Sequence, residues 1–192
     1  MVYALIDKAT LTKKGWSISQ ISKKIESLDI KIAQYRDKNS SLKEQIENIL
    51  EIKSYFSGKL IINDNIELID YVDGLHLGQE DIREFNLNLG EAISIIREKI
   101  GNKILGLSTH NLKEIYEANS LNLNYIGLGA YRETNTKSDA EVFGEELLEI
   151  AKHSRHPVAI IGGVKFSDSF PKYIKYRVIG SNLYGKDKYI YD

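Results

Sequence analysis

The chain has 192 residues, which is long enough for one well-buried core and short for two domains. Its 26 Lys and Arg residues balance 27 Asp and Glu residues, which excludes the strongly basic surface of a nucleic-acid-binding protein and an acidic tail. It has no cysteine, no basic leader and no apolar run of about 18 residues, which excludes a disulfide framework, thiolate metal sites and a membrane span. We therefore expect one cytoplasmic domain over residues 1–192, with neither nucleic-acid nor membrane partners.

Short apolar runs rich in β-branched residues recur along the chain and predict eight strands. They cover residues 3–6, 30–34, 59–62, 74–77, 103–107, 125–128, 157–161 and 177–179. Five segments between them carry apolar residues at helical spacing, at 19–28, 42–56, 89–100, 112–118 and 140–153. Alternating strands and helices predict a parallel sheet with right-handed crossovers.

Eight strands favour a compact (β/α)₈ TIM barrel over an open sheet. Such barrels usually need about 250 residues, so the helices here must be short. Only five residues, 65–69, are available for a helix after the third strand. The last strand is followed by residues 182–192 alone, so we expect a stunted C-terminal helix or none.

Polar clusters follow seven successive predicted strands, at the end of the barrel where active sites lie. After the second strand, Gln34, Arg36 and Lys38 share one face, and Tyr35 and Asp37 lie on the other. Arg and Lys at alternate positions suit the oxygens of a phosphate group. A solvated basic strand end is the alternative interpretation.

Two carboxylates follow neighbouring strands. Asp64, after Asn63, and Asp81 would lie at adjacent points on the barrel rim, where hard oxygen ligands suit Mg²⁺ together with substrate phosphates. Taken alone, Asp64 is better explained as the N-cap of a helix beginning at Ile66. Together with Arg36 and Lys38, the pair favours a Mg²⁺–diphosphate site.

The remaining clusters are less specific. Ser108, Thr109 and His110 could bind phosphate, orient a proton transfer or cap the helix near Leu112, and we expect Asn111 to be a cap. Gly162 and Gly163 follow the seventh strand, and Gly180 and Ser181 the eighth, where barrels commonly bind phosphate through backbone N–H groups.

Six motifs in order resemble the thiamine-phosphate synthase family. They span residues 34–38, 62–64, 73–81, 106–110, 134–137 and 161–163, and the resemblance covers about residues 3–181. It implies a (β/α)₈ barrel that joins hydroxymethylpyrimidine diphosphate to thiazole phosphate, releasing pyrophosphate by a dissociative, Mg²⁺-dependent reaction. It also implies small-molecule substrates as partners, with the oligomeric state left open and a homodimer as one option.

The resemblance assigns roles motif by motif. Asp64 and Asp81 are the expected Mg²⁺ ligands, and Arg36, Lys38, Ser108 and Lys137 the expected catalytic residues. The expected pyrimidine-diphosphate contacts are Gln34, Arg36, Lys38, Asn63, Ser108 and Lys137. The thiazole-phosphate contacts are Thr134, Thr136, Gly163, Gly180 and Ser181. Tyr35, Asp37 and Asn135, which stand inside these motifs, complete the substrate-binding set.

The chain departs from the family pattern in one loop. The family usually has Gly-Pro-x-Phe-Pro before the Thr-x-Thr-Lys motif, whereas residues 129–133 contain no proline, and Arg132 replaces an aromatic and adds a cation beside the site. Two alternatives therefore stay open. One is a thiazole tautomerase-like isomerase with His110 as its proton-transfer residue, and the other is a non-catalytic barrel that binds thiamine precursors.

Overall fold

The computed structural model describes residues 1–132 and 144–191. Its eight parallel strands form a closed barrel in chain order, with the last strand paired to the first. The strands are β1 (Val2–Asp7), β2 (Ile32–Arg36), β3 (Lys59–Asn63), β4 (Gly74–Leu77), β5 (Ile104–Thr109), β6 (Tyr125–Leu128), β7 (Val158–Ile160) and β8 (Ile174–Ile179). The predicted (β/α)₈ barrel is confirmed, and β8 begins three residues earlier than expected.

Alternate residues of each strand pack into two separate apolar clusters, one inside the barrel and one between the barrel and the helices. In β1, Ala4 and Ile6 pack outward against the helices, and Tyr3 and Leu5 point into the barrel. The same alternation continues to Asp7, which therefore faces the carboxyl-terminal mouth on the inner side. The alternation of inward- and outward-facing residues thus determines which polar side chains lie inside the barrel.

Seven α-helices lie in the described part of the chain. They are α1 (Lys8–Lys13), α2 (Ile18–Ser27), α3 (Leu42–Tyr55), α4 (Gln79–Arg83), α5 (Leu89–Ile100), α6 (Leu112–Ala118) and α7 (Glu146–Ala151). The predicted helix over 140–153 is described only from 144 onward and is shorter than expected there, and α1 and α4 were not predicted. None of the helices in these ranges has an apolar stretch long enough to cross a membrane.

Helix ends carry sequence-encoded caps. At the start of α2, Ser17 Oγ accepts a hydrogen bond from the Gln20 backbone N–H at 3.1 Å, and Gln20 Oε1 accepts one from the Ser17 backbone N–H at 2.8 Å. A cap of this kind contributes about 1 kcal/mol. Ile21 and Ile25, one turn apart, bury the inner face of the helix.

Two helices are reduced, as the short connections predicted. Between β3 and β4 the chain forms only a 3₁₀ helix, Ile66–Tyr71. After β8 it forms two 3₁₀ helices, Ser181–Leu183 and Lys188–Tyr191. This terminal segment packs against α2 and the preceding loop through Trp16, whose ring centroid lies 6.0 Å from that of Tyr184. This aromatic contact holds the short terminal segment against the rest of the fold.

Candidate active site

One cavity occupies the carboxyl-terminal mouth of the barrel, and residues at the ends of all eight strands line it. Ten of the residues expected in the site share this cavity: Gln34, Arg36, Lys38, Asn63, Asp64, Asp81, Ser108, Gly163, Gly180 and Ser181. They come from six different strand ends. The barrel therefore brings together ten of the twelve expected residues that lie in the described ranges.

Arg36 is fixed by a residue that the sequence analysis did not single out. Asp7, only 4% exposed, places Oδ2 at 2.6 Å from Arg36 Nη1. Its Oδ1 accepts hydrogen bonds from the Thr10 backbone N–H at 2.8 Å and the Thr10 hydroxyl at 2.7 Å, which begins α1. Asp7 directly follows the first predicted strand, as the other polar clusters follow their strands, and this position is the signal that identifies it.

Lys38 and Asp64 form a second ion pair at the mouth. Lys38 Nζ lies 3.1 Å from Asp64 Oδ2, and both side chains are partly exposed to the cavity. The backbone of Asp64 has φ of 62°, in the left-handed region that Asp tolerates better than most residues. Its N–H donates to the His76 carbonyl at 2.9 Å, which anchors it to β4.

Asp64 is not a helix cap. Asn65 caps the 3₁₀ helix instead, with its side chain accepting from the Glu67 backbone N–H at 3.1 Å. The interpretation of Asp64 as the N-cap before Ile66 is therefore wrong, because the left-handed turn at Asp64 directs its carboxylate to Lys38. The Asp64 side chain lines the cavity.

The two carboxylates fit a divalent cation. Asp81 Oδ2 accepts from the Gly78 backbone N–H at 3.1 Å, and among the described residues the Oδ1 atoms of Asp64 and Asp81 have no hydrogen-bond partner. No cluster of three or more His, Cys, Asp or Glu side chains suited to a metal exists in the described ranges. Mg²⁺ commonly takes one or two carboxylates and completes its shell with water and substrate phosphate. Asp64 and Asp81 are therefore the described residues that could hold such an ion.

The end of β5 combines three different roles. Ser108 Oγ lies 3.0 Å from His76 Nε2, whereas the buried Thr109 hydroxyl donates to the Gly127 carbonyl at 2.9 Å. His110 Nδ1 lies 3.0 Å from Glu114 Oε2, so that carboxylate orients the imidazole at the cavity wall. The predicted cap at Asn111 is confirmed, since its side chain accepts from the Glu114 backbone N–H at 3.0 Å.

The loop after β7 has a backbone conformation that favours glycine at two successive positions. Gly162 and Gly163 have φ of 97° and 59°, and a Cβ at Gly162 would lie 2.8 Å from the Ala130 Cα. Arg132 does not add a free cation here, because its Nη1 lies 2.6 Å from Asp168 Oδ2 and 3.1 Å from the Gly163 carbonyl. Hydrogen bonding to Arg132 lowers the pKa of Asp168, which keeps this pair charged. The pair joins the segment after β6 to the loop after β7.

Two expected residues in the described ranges, Tyr35 and Asp37, do not line this cavity. Tyr35 is fully buried on the outer side of β2, where its hydroxyl donates to Asp37 Oδ2 at 2.7 Å and accepts from Asn48 Nδ2 at 2.9 Å. Asp37 lines a neighbouring groove rather than the main cavity. Thr134, Asn135, Thr136 and Lys137 lie outside the described residues.

Comparison with known proteins identifies the family. The family model described as thiamine monophosphate synthase matches residues 2–178. The thiamine-phosphate synthase of Persephonella marina is 35% identical over 170 residues, covering 85% of this chain and 76% of that protein. The thiamine-phosphate synthase of Methanosarcina mazei is 36% identical over 169 residues, covering 84% of this chain and 66% of that protein.

A solved structure gives the same fold independently. Thiamine phosphate pyrophosphorylase from Pyrococcus furiosus superposes with a TM-score of 0.75 at 22% identity, over 99% of this chain and 91% of that one. At this identity the likeness establishes the barrel. The family match and the two sequence relatives show that the chain belongs to the thiamine monophosphate synthase family.

Proposed function

We propose that this protein is a thiamine-phosphate synthase that joins hydroxymethylpyrimidine diphosphate to thiazole phosphate, giving thiamine phosphate and pyrophosphate. The observation that carries the proposal is the meeting of two cations, Arg36 and Lys38, with two carboxylates, Asp64 and Asp81, in one cavity. Cations bind the diphosphate directly, and carboxylates bind it through a metal. The names of the curated relatives support the same reaction.

The proposed reaction begins with cleavage of the bond between the pyrimidine methylene carbon and the diphosphate oxygen. The electron pair leaves with pyrophosphate, and the thiazole nitrogen then donates its lone pair to the methylene cation. The main barrier is the charge that develops on the departing diphosphate. Arg36 and Lys38 stabilise this charge, and Asp7 and Asp64 orient the two cations beforehand.

Mg²⁺ is part of this proposal, with Asp64 and Asp81 as the residues that would bind it. The ion would neutralise charge on the leaving diphosphate. The Oδ1 atoms of both carboxylates support this assignment because no described residue hydrogen-bonds to them. Gln34, Asn63 and Ser108 face the same cavity and would position the pyrimidine diphosphate.

The thiazole phosphate is assigned to the opposite wall of the cavity. Gly163 has a positive φ and no side chain to block the approach of a phosphate to the backbone, and Gly180 and Ser181 line the same cavity. We also assign Thr134, Asn135 and Thr136 to the thiazole side and Lys137 to the diphosphate, on the family motif. Fixing the thiazole by its phosphate aligns its nitrogen with the methylene carbon, which is an orientation effect.

The tautomerase-like alternative has one observation in its favour. Because Glu114 accepts from His110 Nδ1, the Nε2 atom of His110 is left as a base at the cavity wall. A tautomerase, however, binds no diphosphate and gives Lys38, Asp64 and Asp81 no role. These three residues favour the synthase.

A mixing assay tests the proposed function. Purified protein is incubated with both substrates and Mg²⁺, and thiamine phosphate is measured as fluorescent thiochrome, with a parallel sample containing EDTA. We expect product with Mg²⁺ and none with EDTA. Absence of product in both samples, with binding of thiazole phosphate retained in calorimetry, would instead support a binding protein.

A further inference from the structure

A continuous chain of hydrogen bonds crosses the interior of the barrel. Gln34 Nε2 donates to the Tyr3 hydroxyl at 3.1 Å, which lies 2.9 Å from the Tyr125 hydroxyl. The Tyr125 hydroxyl lies 2.8 Å from His76 Nδ1, and His76 Nε2 lies 3.0 Å from Ser108 Oγ. Gln34 and Ser108, at the two ends of this chain of hydrogen bonds, both line the cavity.

Two glycines make room for the rings of this chain. A Cβ at Gly106 would lie 2.2 Å from Tyr125 Cζ, and a Cβ at Gly127 would lie 3.1 Å from His76 Cε1. The rings of His76 and Tyr125 stack, with centroids 5.4 Å apart and planes 22° from parallel. The lack of a Cβ at both positions thus leaves room for these two rings.

With Gln34 donating to Tyr3, only one arrangement of protons lets each hydroxyl along this path both donate and accept a hydrogen bond. The Tyr3 proton then goes to the Tyr125 oxygen, and the Tyr125 proton goes to His76 Nδ1. Burial raises the pKa of Tyr3 and Tyr125, so both phenols keep a proton to donate at neutral pH. His76 with an unprotonated Nδ1 carries its proton on Nε2 and donates to Ser108 Oγ.

We propose that Tyr3, Tyr125 and His76 are positioning residues that leave the Ser108 hydroxyl as a hydrogen-bond donor to an anionic group of the substrate. Ser108 Oγ accepts from His76, so its own proton is directed to the cavity. An anionic oxygen accepts hydrogen bonds and never donates them, so this orientation suits a diphosphate. In naming the diphosphate, the inference rests on the proposed function.

The tautomer of His76 can be measured without any assay of activity. In protein labelled with ¹⁵N-histidine, the His76 signals are assigned by their loss in His76→Gln. We expect Nδ1 to have the chemical shift of an unprotonated ring nitrogen and Nε2 that of a protonated one. In Tyr125→Phe, we expect that preference to be lost, whereas Tyr176→Phe keeps it. A protonated Nδ1 in the unmodified protein overturns the inference.

Tyr176 is a matched control because it lies in the same aromatic cluster without belonging to the chain of hydrogen bonds. Its ring centroid is 6.0 Å from those of Tyr3 and Tyr125. We expect Tyr125→Phe to lower kcat/KM about tenfold, as loss of a positioned hydrogen bond does. Tyr176→Phe is expected to leave kcat/KM unchanged. Equal losses in the two variants would show a general packing effect and overturn the inference.

A double-mutant cycle shows whether Tyr125 acts through Ser108. If it does, Tyr125→Phe has little further effect in a Ser108→Ala background. Full additivity of the two losses overturns the inference. The tautomer measurement also separates the two proposals: the expected His76 tautomer without thiamine phosphate formation contradicts only the function, and product formation with the opposite tautomer contradicts only the positioning role.

Discussion

The carboxylate of Asp7 and the guanidinium of Arg36 form an ion pair at the inner rim of the barrel, with 2.6 Å between Asp7 Oδ2 and Arg36 Nη1. The same carboxylate begins α1 through Thr10. One buried residue therefore sets both the chain direction after β1 and the orientation of a cation in the cavity.

Replacing Asp7 tests this positioning role. Asp7→Asn retains a helix-capping side chain but removes the charge that holds Arg36. We expect kcat/KM for the pyrimidine diphosphate to fall about tenfold, which is about 1.4 kcal/mol of transition-state stabilisation, while circular dichroism shows the fold intact. Asp29→Asn is the control, because Asp29 is an exposed acid paired with Lys31. Equal kinetics for the two variants would remove Asp7 from the site.

The carboxylates Asp64 and Asp81 give a second prediction. We expect Asp64→Asn or Asp81→Asn to abolish Mg²⁺-dependent turnover while the fold persists, since Asn also tolerates the left-handed φ of position 64. Product formation is measured across a Mg²⁺ titration, with the exposed Asp70→Asn as the control. Near-normal activity in either variant would refute the metal assignment.

Lys137 gives a third prediction, which rests on the sequence motif because this residue lies outside the described ranges. Lys137→Ala is expected to slow product formation far more than it weakens thiazole-phosphate binding, since the lost cation would act on the leaving diphosphate. Single-turnover rates and calorimetry separate the two effects. The control is Lys113→Ala, at an 85% exposed side chain on α6. A change confined to the thiazole KM would remove Lys137 from the diphosphate role.

His110 distinguishes the synthase from the tautomerase. A dissociative synthase needs no general base to activate the thiazole nitrogen. His110→Ala should therefore reduce kcat by much less than the ~10²-fold that loss of a general base costs. The exposed His153→Ala serves as the control for loss of a histidine. Complete inactivity of His110→Ala, with binding retained, would favour the isomerase.

The barrel and much of its cavity were predictable because strand alternation fixes which side chains face inward. Gln34 and Arg36 were placed on one face by their spacing alone, and they line the cavity. The hydrogen bond between the Tyr3 and Tyr125 hydroxyls was not predictable in the same way. These residues are 122 positions apart, and their hydroxyl contact depends on the packing of rings inside the closed barrel.

Asp64 shows a second limit of sequence reasoning. An Asp before a short helical segment resembles a cap, and the adjacent Asn65 has the same capping chemistry. The choice between them depends on the left-handed turn at Asp64 and its backbone bond to His76. That bond joins two strands whose register the sequence alone does not specify.

A crystal structure of the protein with Mg²⁺ and pyrophosphate tests the central claim most directly. The account predicts Mg²⁺ bonded to oxygens of Asp64 and Asp81 at about 2.0–2.1 Å, and pyrophosphate oxygens bonded to Arg36, Lys38 and Ser108. Thiamine phosphate added to the same crystals should bind its phosphate at Gly163. Pyrophosphate bound away from Arg36 and Lys38, or Mg²⁺ bound without either carboxylate, would contradict the account.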